Sequence, residues 1–422
     1  MDPSEYIDVN LTQADLLVLK ELLQESDQRG SISREQVVAQ RSTTSKKLAA
    51  LNDPSSPDFD PTVFVSLDLK DLQNSLPSWV DKWVLKPYIK LARNVVRIET
   101  DVVMLTHLLL YFTTSLPSAL ILFHHFTWVH GFLHWVMQSY YVGTYTLMMH
   151  QHIHMGGILK RRFQWFDQLF PYITDPLLGH TWNSYYYHHV KHHHVEANGP
   201  NDLSSTIRYQ RDELLDFFCY FSRFFFCIWW ELPLHFLRKG NIRFALKCCI
   251  WELLNYAFVF LLWKHVGWKP TLFVFLLPLL QLRVGLMVGN WGQHAFVDEN
   301  DPNSDFRSSI TLIDVASNRF CYNDGYHTSH HLHPRRHWRD HPIAFLRDKD
   351  RYSAEHALVF RNIDYIMITV MLFRKDYKYL AKCLVPMGEQ IGMSLDEIAC
   401  MLQKKTRRFS EDDIRRKFGK LE

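Results

Sequence analysis

Histidine concentrates in four places along the 422 residues, at spacings that suit metal ligation. In HQHIH, His150 and His154 stand four apart, on one face of a helix, while His152 points elsewhere and suits an outer or solvated role. In YYYHHVKHHHVE, five histidines fall within seven positions, and His189, His192 and His193 take the spacing i, i+3, i+4. The same run permits a second register, His188 with His192, and leaves His194 unassigned. HTSHH repeats the i, i+3, i+4 spacing with His327, His330 and His331, and NWGQH sets Asn290 four before His294. Neutral imidazole is a borderline ligand for iron, copper, nickel or zinc. Nine such histidines overfill one four-coordinate site, so two adjacent ions are expected. A nitrogen-rich, carboxylate-poor pair of redox-active ions implies electron transfer and dioxygen chemistry rather than hydrolysis. His107, His130, His134, His180, His235, His333, His337 and His341 lack this convergence and are read as packed or solvated.

The elements that carry these residues are read as an all-α, integral membrane architecture. No charged side chain occurs in Val102–Phe123 or in Phe126–Met149, and each run has the ~20 residues that cross a hydrocarbon core. His124 and His125 form the turn of this first hairpin. Phe244–Trp263 and Thr271–Val288 form a second. LLDFFCYFSRFFFCIWWELPLHFL is apolar but carries Asp216, Arg223 and Glu231 along one stripe, which favours a helix lying in the interface. Four spans put residues 150–213 and 289–422 on one side of the membrane. These segments hold Lys160, Arg161, Arg162, Arg335, Arg336, Lys404 and Lys405, and the positive-inside rule assigns them to the cytosol. All the clustered histidines then belong to a cytosolic helical cap. The reactant that such a site would meet beside a bilayer is a hydrocarbon chain, whose unactivated C–H bonds no acid–base or nucleophilic side chain breaks.

Composition agrees. Forty-seven basic against 44 acidic side chains leave a formal charge of +3, which gives no nucleic-acid footprint, and aromatic residues reach 14%, suited to lipid contact. A mean hydropathy of -0.17 requires substantial water-facing parts beside the spans. The seven cysteines are scattered without a Cys-x-x-Cys pair and are read as reduced thiols. MDPSEYIDVN is acidic where a signal peptide is basic, so insertion is expected through the internal spans. Residues 1–95 are read as a soluble helical region and linker, with Leu16, Leu19 and Leu23 on one helical face, a capping box at Ser33 and Gln36, and a linker at 42–61. Residues 96–345 are read as the membrane domain with its histidine-bearing cap, and 346–422 as a C-terminal cytosolic helical region ending in a helix capped at Ser410.

The three segments HQHIH, HVKHH and HTSHH match, in order, the HxxxH, HxxHH and HxxHH boxes of the membrane fatty acid desaturases and hydroxylases, with two spans between the second and third. The chain resembles that family over about residues 100–345, and HHLHPR resembles the HHLxPR of acyl-lipid desaturases. The resemblance implies two irons held by His150, His154, His189, His192, His193, His327, His330 and His331. It adds His294 as a further ligand and Asn290 as a residue that holds a metal-bound water. It implies O2 as co-substrate, and a membrane lipid or acyl-CoA as substrate. The endoplasmic reticulum is the expected location in a eukaryote. No His-Pro-Gly-Gly haem motif is present, so electrons are expected from an external carrier, cytochrome b5 with its reductase or a ferredoxin. Hydroxylation of the lipid is the alternative reaction at the same diiron site. A histidine-rich metal transporter or sensor is a more remote alternative, since a transporter places its ligands inside the spans.

Two charges fall within the spans. Glu252 and Arg283 each lie roughly 10–12 Å from the cytosolic ends of their spans at about 1.5 Å per residue. An antiparallel hairpin brings them to one level, and a salt bridge between them is expected to fix the register that positions Asn290 and His294; the alternative is that Arg283 snorkels alone to the cytosolic interface.

Overall fold

The computed structural model describes residues 6–8, 11–27, 34–65, 67–313 and 315–419, so the expected cap at Ser33 lies outside the described residues. Helices dominate, and the chain divides into two compact units. The first, here the span unit, comprises Trp79–Val195 and Phe221–Met287; the second, the sheet unit, comprises Met1–Ser78, Glu196–Tyr220 and Val288–Glu422.

Among the described residues, three helical stretches are long and apolar enough to cross a membrane: Val102–His124, Ile242–His265 and Trp268–Gln293. The fourth expected span folds as one helix, Trp128–Met155, of 28 residues. Its length exceeds a crossing, but His130, His134, Gln138 and Ser139 dilute its apolar character. These polar groups are paired inside the span unit. The Ser118 hydroxyl meets ring nitrogens of both His130 and His134 at 2.9 Å, and Ser115 donates to Gln138 at 3.0 Å. Trp135 and Ser139 both donate to the Gln281 carbonyl oxygen. Buried polar groups without partners are costly, and these side chains find theirs on neighbouring helices.

Proline punctuates the apolar helices in a regular way. The π turns Asp81–Leu85, Tyr111–Ser115 and Leu272–Leu276 each end two residues before a proline, at Pro87, Pro117 and Pro278. A proline inside a helix removes one N–H and presses its ring on the carbonyl four residues back. Widening the preceding turn to i→i+5 bonding relieves that contact without breaking the helix.

The expected ion pair is present. Arg283 Nη2 lies 2.6 Å from Glu252 Oε1, with both side chains buried. Tyr256 also donates to Glu252 and accepts from Arg283 at 2.8 Å. The aromatic stretch expected in the interface forms the single helix Leu214–Arg238, in which Arg223 pairs with Glu231.

Among its described residues, the sheet unit departs from an all-helical chain in two short strand pairs. Thr62–Phe64 pairs with Leu67–Asp68, and Ile310–Ile313 lies parallel to Leu358–Arg361. Every residue of the parallel pair is buried. Ile310, Leu312, Leu358 and Phe360 face one core, while Ile313 and Val359 face another. The period of two along a strand serves two cores at once. In sequence, such four-residue apolar runs cannot be told from pieces of buried helix.

The second core takes in the N-terminal helices Gln13–Asp27 and Arg34–Asn52. Its contacts come from Ala14, Val18 and Leu22, with Leu19 also buried, a face rotated from the expected Leu16, Leu19 and Leu23 stripe. Burial of Leu48 and Leu51 carries the second helix through the first half of the segment read as a linker, so only 53–61 turns irregularly. At the other end, Glu411–Phe418 is capped by Ser410 with Asp413, and its Ile414 is buried.

Candidate metal centre

Each unit gathers its own group of histidines. In the span unit, the helix Trp128–Met155 presents His150 and His154 on its last turns, their ring centroids 4.7 Å apart. The left-handed Gly156 ends that helix, and Gly157 follows at φ +118°. A Cβ at Gly157 would stand 2.1 Å from the Asp167 carboxylate. Only glycine lets Asp167 approach, where it accepts from the Ile158 N–H while its backbone carbonyl meets His152 Nε2 at 3.0 Å. His152 thus sits against Asp167 and outside the group, as its spacing implied.

The second contribution comes from the π-helical segment Tyr186–His193. The His194 N–H donates to the His189 carbonyl, a bond between residues five apart. In a π turn the hydrogen bond runs from i to i+5, so residue i+5 joins i+4 near the face of residue i. His189 and His194 are accordingly brought together, with ring centroids 4.5 Å apart, and both join His150 and His154. The ligand-capable nitrogens of these four residues all lie within 4.8 Å of one another. His193 stacks on His189 at 5.5 Å. His192 turns to His235, ring to ring at 4.3 Å, and is not brought into this group. His194, unassigned from the sequence, is the residue that an α-helical reading of the run could not find. No proline follows this π turn, so its one sequence signal is missing.

In the sheet unit, His294 directly follows the end of the helix Leu277–Gln293, and the short helix His327–Leu332 carries the last box. His294, His327 and His331 are buried with their ligand-capable nitrogens within 4.8 Å of one another. His330, on the same short helix, is buried with its ring 6.1 Å from that of His341. His294 Nδ1 lies 2.8 Å from the Ser308 carbonyl, which can only accept; the ring therefore donates there and turns Nε2 toward His327. His331 Nδ1 stands 3.5 Å from Asp305. Asn290 uses its amide nitrogen elsewhere, donating to the Ser204 carbonyl at 2.9 Å and to the Tyr220 hydroxyl at 2.7 Å.

The donor sets fit a metal. Nε2 of His189 lies 2.8 Å from that of His150 and 3.1 Å from that of His194; Nε2 of His327 lies 3.1 Å from those of His294 and His331. Adjacent ligands around an ion with metal–nitrogen bonds of about 2.0–2.1 Å stand roughly 2.8–3.0 Å apart in octahedral geometry. The His189 ring is also held in the right protonation state. Desolvation, then the neighbouring His194, His150, His154 and His193, hold the His189 pKa well below the usual histidine value. A neutral imidazole is the form that binds a metal.

Beside the His150 group the span unit encloses a cavity. Tyr185 belongs to both, lining the cavity and lying 5.2 Å from the His189 ring. Leu232, Leu282, Phe224 and Ile228 supply apolar wall, and Thr181, Glu252 and Arg283 a polar side. Burial, then the Arg283 charge, lowers the pKa of His180 in this lining to about 3.

A family model described as fatty acid desaturase matches residues 126–362, more than half of the chain and inclusive of all three histidine boxes. Comparison with curated proteins and with solved structures returned no match.

Proposed function

The chain belongs to the fatty acid desaturase family, and on that premise we propose that it is a membrane-bound oxygenase that desaturates a fatty acyl chain with O2 and electrons from an external carrier. The observation that carries this reading is the convergence of histidines into two compact groups, with nitrogen separations that match adjacent ligands of one ion. His150, His154, His189 and His194 would hold one iron, and His294, His327 and His331 a second, with His193 and His330 as additional candidates. Bound iron supplies the activation of dioxygen and the removal of hydrogen from an unactivated methylene, which no side chain here can perform.

The protein's own part is positioning and enclosure. The Ser308 carbonyl fixes the tautomer of His294; the rings of His294, His327 and His331 are buried, as is His150 in the other group, where His189 and His194 are half-buried. The apolar wall of the span-unit cavity would take the alkyl chain and keep water from it.

Four spans in two hairpins with a cytosolic cap remain the proposed topology. It is supported by the 28-residue length of Trp128–Met155 and by the pairing of its polar groups within the span unit. The proposed donor is cytochrome b5 with its reductase, or a ferredoxin, and the proposed substrate carrier a membrane lipid or coenzyme A.

Cells expressing the protein, fed a perdeuterated saturated fatty acid, test the reaction. Loss of two deuterons with a new double bond, absent in a His327→Ala variant, is the expected result. Loss of one deuteron with a new hydroxyl would assign hydroxylation instead, and an unchanged lipid profile would overturn the oxygenase reading.

A further inference from the structure

The polar side of the cavity has an uneven hydrogen-bond account. Glu252 is engaged at both oxygens: Oε1 accepts from Arg283 and Tyr256, and Oε2 accepts from Thr181. Arg283 is not engaged to the same extent. Only 8% exposed, it spends Nη2 on Glu252 and Tyr256, while among the described residues nothing accepts from its Nε or Nη1. A guanidinium carries five N–H groups in a rigid fork, and Nε and Nη1 of Arg283 are not among the buried, unpartnered atoms, so they reach open space. Since Arg283 lines the cavity, these remaining donors are available to whatever occupies it.

Charge decides what that occupant presents. The Glu252–Arg283 pair is neutral as a whole, so a phosphate or free carboxylate would leave one buried negative charge unbalanced. A neutral oxygen acceptor, an ester or amide carbonyl or a hydroxyl, satisfies the donors without that cost. Position decides where the oxygen lies along the chain. The cavity that Arg283 lines is also lined by Tyr185 and His188, and Tyr185 packs on His189.

We propose that Arg283 binds a neutral oxygen of the lipid substrate, so that this cavity selects an oxygen-bearing chain over a bare hydrocarbon and counts the reacting carbons from that oxygen. The inference rests on the reading of the adjacent histidine group as the reacting centre. Arg283 is then a specificity-determining residue as well as half of an ion pair.

The test is thermal unfolding of the purified, iron-loaded protein in lipid nanodiscs with methyl octadecanoate, 1-octadecanol or n-octadecane added. The ester, the alcohol or both should raise the midpoint by about 2 °C or more over the alkane, and which of them does so identifies the acceptor. Arg283→Lys, which keeps the charge but loses the fork, should lose this preference. Because Arg283→Met alone strands Glu252 and can fail to fold, the combined variant Glu252→Gln with Arg283→Met provides the second arm and should bind all three additives alike. Equal shifts for all three additives in the native protein, or a preference that survives in the combined variant, would overturn the inference. Arg283-dependent binding in a protein that converts no lipid would instead overturn the proposed function, and with it the counting of reacting carbons, while the contact between Arg283 and the lipid oxygen would stand.

Discussion

The two histidine groups reach similar nitrogen separations by different backbones. In the sheet unit, His327 and His331 stand four apart on a short α-helix, their Nε2 atoms 3.1 Å apart. In the span unit, His189 and His194 stand five apart on a π turn, with the same 3.1 Å separation. The comparison teaches that a metal site constrains ligand atoms and leaves the helix type free. A spacing rule transfers between sites only where the helix type is the same.

The largest expected effects test whether both groups serve one reaction. His189→Ala and His327→Ala should each lower turnover by more than ~100-fold, since changes even to outer-shell partners of metal ligands cost about 10–100-fold. Lipid analysis of expressing cells measures this. Full activity in either variant would remove that group from the chemistry.

Next comes the register of the π turn. His194→Ala should match His189→Ala in its loss of turnover, whereas His192→Ala, whose ring packs on His235, should cost less than ~10-fold. The opposite ranking would restore the α-helical register and dissolve the contrast between the groups.

A pH dependence sharpens the account of the span unit. His180, with its pKa of about 3, and His189, also strongly lowered, stay neutral in the fold where an unfolded imidazole is protonated. Below the unfolded value of about 6.5 the unfolded state binds more protons, so stability is full above that pH and falls as pH drops toward the folded values. Each group should contribute a slope of about 1.4 kcal/mol per pH unit in that window. Unfolding of the metal-free protein between pH 6.5 and 5, with and without His180→Asn, measures it; identical slopes would contradict the buried neutral ring.

The smallest effect concerns the sheet unit. Asp305→Asn should weaken iron retention by no more than about 10-fold, because its carboxylate stands 3.5 Å from His331, at the long end of an outer-shell contact. Dialysis against a chelator gives the ratio of release rates.

Much of this arrangement was legible in sequence wherever periodicity was α-helical. His150 with His154 and His327 with His331 follow from 3.6 residues per turn, and the approach of Glu252 to Arg283 from the ~1.5 Å rise per residue along two antiparallel spans. The π turn at 186–193 hid the pairing of His189 with His194, since no proline announces it as Pro87, Pro117 and Pro278 announce the others. Thr62–Phe64 and Ile310–Ile313 were missed because runs of three or four residues are too short to declare a period. Arg34–Asn52 overran the expected linker because Leu48 and Leu51 are buried, which depends on partners distant in sequence. The partners of Asn290, Ser204 and Tyr220, lie 86 and 70 residues away, beyond any local pattern.

The central claim is that each histidine group holds one iron, in the span unit through a π-helical pair. Elemental analysis of purified protein tests it most directly. The account predicts two irons per chain in the native protein and in His192→Ala, and one in His194→Ala. A single zinc in the native protein, or two irons retained by His194→Ala and lost from His192→Ala, would contradict it.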